Sequence, residues 1–178
     1  LSITRDYNIP LTLTVTEDSG VFTQGGFATG ASAGPANEST QAISYTVALS
    51  NVTFTAGTNL FVGLPTVSAQ GDLSFVPAPN ASGSATLTVS VKDNGGVTNI
   101  LGTVTGVDTA VVGSFTVMVT PVDDAPSANA QVVGVVEETA RLITLGGNDP
   151  EGALLTFEML TLPTKGVLSG TAPTLTYT

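Results

Sequence analysis

The chain has 178 residues, fourteen acidic against four basic, a formal net charge of −10, and no Cys, His or Trp. That composition excludes disulfide staples, Cys/His zinc sites, Ser-His-Asp chemistry and thiol nucleophiles. The charge argues against nucleic acid and anionic membrane as partners, and no apolar run approaches the roughly 18 residues of a membrane helix.

Apolar residues recur with period 2 almost throughout, the pattern of half-buried strands, and no 3.6-period segment is long enough for a helix. Leu1-Ser2-Ile3-Thr4 reads as the last strand of a preceding module, and residues 5–10, RDYNIP, as an acidic linker, so 1–8 are assigned there. A complete module is expected over 9–122. Its predicted strands carry Leu11, Leu13 and Val15, then Ile43, Tyr45, Val47 and Leu49, then Leu73 and Phe75, then Leu87, Val89 and Val91, and last Phe115, Val117 and Val119. Gly, Pro, Asn and Asp clusters separate these runs, as Greek-key connections in a sandwich require.

Pro121 and Pro126 flank a linker, 123–126, that proline keeps out of either sheet. An incomplete second module follows over 127–178, where Leu155, Phe157 and Met159 alternate, then Leu175 and Tyr177. Leu175-Thr176-Tyr177-Thr178 matches Leu73-Ser74-Phe75-Val76, but the strands that come next in the first module, at 84–91 and 114–120, have no second copy. The expected fold class is all-β, as tandem β-sandwiches. A half sandwich exposes strand edges and core. Either a longer polypeptide completes it, or a neighbouring chain adds the missing strands and makes a fibre.

The acids cluster at the ends of apolar runs rather than spreading over the surface. VTEDSG at 15–20 returns as VVEETA at 135–140, and VTPVDDAP at 119–126 lies between them. The plain reading of such clusters is a solubilising surface. The sharper one is a cation among carboxylates that otherwise repel. A paired-carboxylate hydrolase needs two acids facing each other across one cleft, whereas these recur from module to module, so no enzyme is expected. Glycan platforms rely on aromatic stacking. With no Trp, and with Tyr7, Tyr45 and Tyr177 reading as core or linker, a protein partner is the better version of a binding-module alternative.

In their order and spacing, VTEDSG, AGPANES before ISYTV, GDLSFVPAPNASGSATLTVSVKDNGG and GVDTAVVGSFTVMVTPVDDAP resemble the cadherin-like, immunoglobulin-like tandem repeats of large bacterial surface proteins and adhesins. VVEETARLITLGGNDPEGALLTFEMLTLPTKGVLSG resembles a shorter variant of the same repeat. The resemblance implies immunoglobulin/cadherin-like Greek-key sandwiches, an extracellular, secreted or cell-surface location, and neighbouring repeats as partners. It also implies Ca2+ at module junctions. Carried over, the junction between the two modules would use Glu17 and Asp18, Asp123 and Asp124, and Asp149 and Glu151. The junction before the first would use Asp6 with Asn8, Asn37 or Glu38, and Asp93. The stretch PAPNASG at 77–83 lacks the acidic triplet usual there, which implies a weaker site or fewer ions.

Overall fold

The computed structural model describes residues 2–3, 12–34, 36, 39–95, 99–100, 103–104 and 108–178. The described residues are all-β, and the chain divides into two compact units, Leu1–Val122 and Asp123–Thr178.

The first unit contains β1 (Ser2–Ile3), β2 (Thr12–Thr16), β3 (Phe22–Gln24), β4 (Ala31–Ser32), β5 (Ile43–Ala56), β6 (Thr66–Val67), β7 (Leu73–Phe75), β8 (Ser82–Asp93), β9 (Asn99–Ile100), β10 (Thr103–Val104) and β11 (Thr109–Thr120). Four of these form a sheet in the order β2-β11-β8-β5, and three form another in the order β3-β7-β6. The short pairs β1-β4 and β9-β10 are separate. Within the larger sheet β2 runs parallel to β11, and the other neighbours are antiparallel.

The two central strands are paired on both sides, and their inward faces are buried against the other sheet. Ala85, Leu87, Val89 and Val91 on β8, with Phe115, Val117 and Val119 on β11, have almost no solvent exposure. They share one core with Leu13 and Val15 of β2, Val67 of β6, and Leu73 and Phe75 of β7, so inward residues of both sheets meet, as in a β-sandwich. Three aromatic contacts fill it out. Phe22 stacks on Phe75 at 4.8 Å, while Phe27–Phe115 at 4.7 Å and Phe61–Phe75 at 5.3 Å meet edge to face.

The second unit contains β12 (Ser127–Ala128), β13 (Arg141–Thr144), β14 (Gly147–Asn148), β15 (Leu168–Thr171) and β16 (Thr174–Tyr177). Its three-stranded antiparallel sheet is ordered β13-β16-β15, and β12 pairs with β14. That sheet repeats the plan of β3-β7-β6, with the last strand in sequence at the centre. The acidic turns repeat as well. Asp18 has φ +57° and Glu138 has φ +59°, each the second acidic residue of its turn.

One expectation fails here. The alternation at Leu155, Phe157 and Met159 forms no strand, because residues 152–159 have no ladder partner. In the first unit the corresponding alternating run, β5, is a strand because it pairs with β8 from Ile43↔Asp93 onward. Alternation prepares a segment for a sheet, but the backbone hydrogen bonds must come from a neighbour.

Candidate functional site

Leu13 and Val15 point into the core from β2, and the same period puts Glu17 on the inward side. Its residue exposure is only 1%. The Glu17 amide donates to the Thr120 carbonyl at 3.0 Å, and its Oε1 accepts the Val122 amide at 3.0 Å. The carboxylate thus ties the turn after β2 to the chain leaving β11. Its second oxygen, Oε2, is buried and has no hydrogen-bond partner. Asp18, one position on, is exposed and outward, and the two residues can bring carboxylate oxygens within 4.8 Å of one another. Ser19 Oγ closes the turn by donating to the Thr16 carbonyl at 2.7 Å.

Asp93 lies at the other end of the same sheet. It follows Leu87, Val89 and Val91 on the inward face of β8 and is buried. Its Oδ1 accepts the Gly95 amide at 2.9 Å, and its own amide donates to the Asp108 carbonyl at 3.0 Å. Asp108 forms an ion pair with Lys92 at 3.5 Å, so it closes the loop base rather than standing alone. β11 is twelve residues long and pairs with β8 from Thr109↔Lys92 to Val119↔Gly83. The Glu17 and Asp93 ends are therefore roughly 35 Å apart at strand rise. Within the first unit these carboxylates belong to two separate ends, not one cleft.

In the second unit the Asp149-Pro150-Glu151-Gly152 turn is held by its own aspartate. Asp149 Oδ1 accepts the Glu151 amide at 3.1 Å and the Ala153 amide at 2.9 Å. This aims Glu151 back along the chain, where its Oε2 accepts the Asp124 amide at 3.0 Å. Glu151 Oε1 is buried without a hydrogen-bond partner. Asp123 is exposed and Asp124 half-buried. The linker and the 149–151 loop, set 27 positions apart, do meet. Asp6, Asn37 and Glu38, with Asn8, lie outside the described residues.

Each unit therefore has one carboxylate on a backbone amide next to or within the linker: Glu17 holds Val122 at the end of the first unit, and Glu151 holds Asp124 in the second. Side-chain spacing foretells neither bond, since any residue supplies an amide. The burial of Glu17 is not among the sequence expectations, although its place in the Leu13–Val15 alternation carries the signal. Lys92 with Asp108 is the ion pair formed among the described residues, and neither Glu17 nor Glu151 has a cationic neighbour of that kind. A buried carboxylate oxygen with no donor has the chemistry of a ligand for a hard, oxygen-seeking cation, at Glu17 in the first unit and, separately, at Glu151 in the second.

A different feature lies along β5. Leu49, Val52, Phe54, Leu60, Phe61 and Leu64 line an open, largely apolar groove, with Phe54 about half exposed. No carboxylate lines it. No protein-family model matches the chain, and no curated protein or solved structure does either.

Proposed function

We propose that this chain is a structural repeat segment of an extracellular surface adhesin or fibre. In this reading it is built from tandem immunoglobulin/cadherin-like Greek-key sandwiches, with Ca2+ stiffening the module junction and no catalytic role. Its partners are neighbouring repeats of the same or an identical chain. The observation that carries the reading is the buried, unpartnered Oε2 of Glu17 on the corner that holds the outgoing linker.

Burying a carboxylate with no positive partner costs several kcal/mol, and a bound cation offsets that cost. Glu17, Asp18, Asp123, Asp124, Asp149 and Glu151 are the proposed ligands, and Ca2+ accepts such a loop-borne oxygen set in a forgiving geometry. The ion would supply charge neutralisation and a bridge along the linker, so that ordering of the junction depends on Ca2+ by mass action. At a hundredfold excess over Kd that linkage amounts to about 2.7 kcal/mol. Millimolar extracellular Ca2+ suffices for weak sites.

Thermal unfolding of residues 1–178 in millimolar Ca2+ and then in chelator tests the reading. The midpoint should rise with Ca2+, and Glu17→Gln or the pair Asp123→Asn with Asp124→Asn should remove the rise. An unchanged midpoint in the unmodified chain would reduce the acids to a solubilising surface.

The apolar groove at Phe54 favours a second reading, a module that binds a protein partner beside β5. Phe54→Ser would then abolish partner capture and leave the Ca2+ response intact.

A further inference from the structure

Asn94 is the one asparagine of this chain that glycine follows. Gly95 has no side chain to shield its nitrogen, so its amide can approach the side-chain carbonyl of the residue before it. In an unfolded chain such an attack has only solvent to take the proton and to stabilise the developing charge. The fold sets two further groups at the same spot.

Both belong to the end of the β5–β8 ladder, which begins at Ile43↔Asp93. One position further out, the pairing is completed by a side chain. The Asn94 amide donates to the Ala42 carbonyl at 3.1 Å, and the Ala42 amide donates back to Asn94 Oδ1 at 2.9 Å. The side-chain carbonyl therefore holds an N–H donor on the oxygen that gathers negative charge when Cγ is attacked. The Gly95 amide donates to Asp93 Oδ1 at 2.9 Å, so the proton that must leave the nucleophile already faces a carboxylate. Asp93 is buried and anchored by its own amide, which donates to the Asp108 carbonyl at 3.0 Å. Asn94 and Gly95 are exposed to water.

We propose that Asn94 is a self-modification site, converted through a cyclic imide to aspartate and isoaspartate by Gly95, Asp93 and the Ala42 amide. The Gly95 nitrogen bonds to Asn94 Cγ as its proton passes to the Asp93 carboxylate. The tetrahedral intermediate, with its oxyanion on Oδ1 facing the Ala42 amide, collapses by breaking Cγ–Nδ2. Asp93 returns the proton to the departing nitrogen, which leaves as ammonia. Solvent water then adds to one of the two ring carbonyls and breaks that carbonyl's bond to the Gly95 nitrogen. Opening at Cγ gives aspartate at position 94. Opening at the backbone carbonyl gives isoaspartate, with the main chain routed through the former side chain. The isoaspartyl form adds a methylene to the backbone and frees a carboxylate near Asp93, so the pairing of Ala42 with position 94 is lost. The ladder from Ile43↔Asp93 inward is untouched. The change is one-way, and its extent marks how long a chain has stood folded.

The experiment is incubation of residues 1–178 at neutral pH, folded and in denaturant, with peptide mass spectrometry reading ammonia lost and water gained at each original asparagine. Chelator is present throughout, so that no cation competes for the Asp93 carboxylate. Asn94 should convert ahead of every other asparagine, and at least as fast in the folded chain as in denaturant. Asp93→Asn keeps an acceptor for the Gly95 amide but cannot take its proton. It should slow the folded reaction by about tenfold or more and leave the rate in denaturant unchanged. Ala42→Pro removes the donor on Oδ1 and should also slow the folded reaction alone. Circular dichroism checks that each variant is folded, and if Asp93→Asn is not, Ala42→Pro decides. Conversion of Asn94 that is slower folded than in denaturant overturns the proposal, as does a folded variant that reacts at the parent rate.

Discussion

The two units run similar sequence patterns through different neighbourhoods. In the first, β8 and β11 receive ladder bonds on both sides and bury an unbroken row from Ala85 to Val91 and from Phe115 to Val119. In the second, Leu175 is the buried large apolar residue, and most of the others stay in water. Helix propensity does not separate the units, nor does the strength of the alternation, which is as regular at 155–159 as at 43–49. The difference is that β5 has β8 beside it, whereas residues 152–159 have no ladder partner among the described residues. Strand pairing is a two-party property, so a well-patterned segment without a partner remains extended chain.

Several substitutions sharpen the contrast. Phe115→Ala removes a buried ring that meets Phe27 edge to face, and should lower first-unit stability by about 3–5 kcal/mol in denaturant unfolding. Phe157→Ala, from the unpaired run of the second unit, should change stability by less than about 1 kcal/mol. Equal losses would mean that Phe157 already sits in a packed core.

Glycines give a second, smaller pair. Gly71 has φ +87°, and a Cβ there would run into the Ala28 carbonyl while the Ala28 amide is bonded to the Gly71 carbonyl at 2.8 Å. Gly71→Ala should lower the unfolding free energy by roughly 2–4 kcal/mol. Gly152 has a similar φ of +75° but open space around its Cβ position, so Gly152→Ala should show only the left-handed backbone penalty, about 1 kcal/mol. A larger loss at Gly152 would reveal a tighter 149–152 loop than its surroundings indicate.

The smallest expected effect is a pH response confined to the first unit. Burial raises the Tyr45 phenol above 10.0, and its hydroxyl donates to the Ala28 carbonyl at 3.4 Å. The folded value exceeds the unfolded one, so this contribution is complete below pH 10 and is lost as pH climbs through the raised folded value. Tyr45→Phe should flatten the alkaline limb of first-unit stability. An identical limb in the variant would assign the loss to other groups.

Much of this was readable from residue patterns. The alternation at Leu13–Val15, Ile43–Leu49, Leu87–Val91 and Phe115–Val119 falls on β2, β5, β8 and β11. Extending two of those runs by one step would have placed Glu17 and Asp93 on inward faces, since a carboxylate two residues past a buried valine inherits its side; in the sequence they read only as strand-end acids. The repeat of VTEDSG as VVEETA was legible as well, and both turns place their second acid at positive φ. The linker bonds were not, because the Val122 and Asp124 amides are backbone groups with no residue signature. Nor was the exposed Phe54 groove, which arises where β5 meets the 59–64 loop.

What the chain's own order of residues determined is the all-β class, the period-2 faces, the turn positions and the recurrence of acids at strand ends. These are local properties, set by side-chain alternation and by residues such as glycine and proline that limit backbone angles. Only tertiary structure decided which patterned segments became strands, which carboxylate oxygens were left without donors, and that Glu17 would hold the Val122 amide and Glu151 the Asp124 amide. Those outcomes depend on backbone partners far away in sequence, and a residue's identity does not record whether its partner arrives.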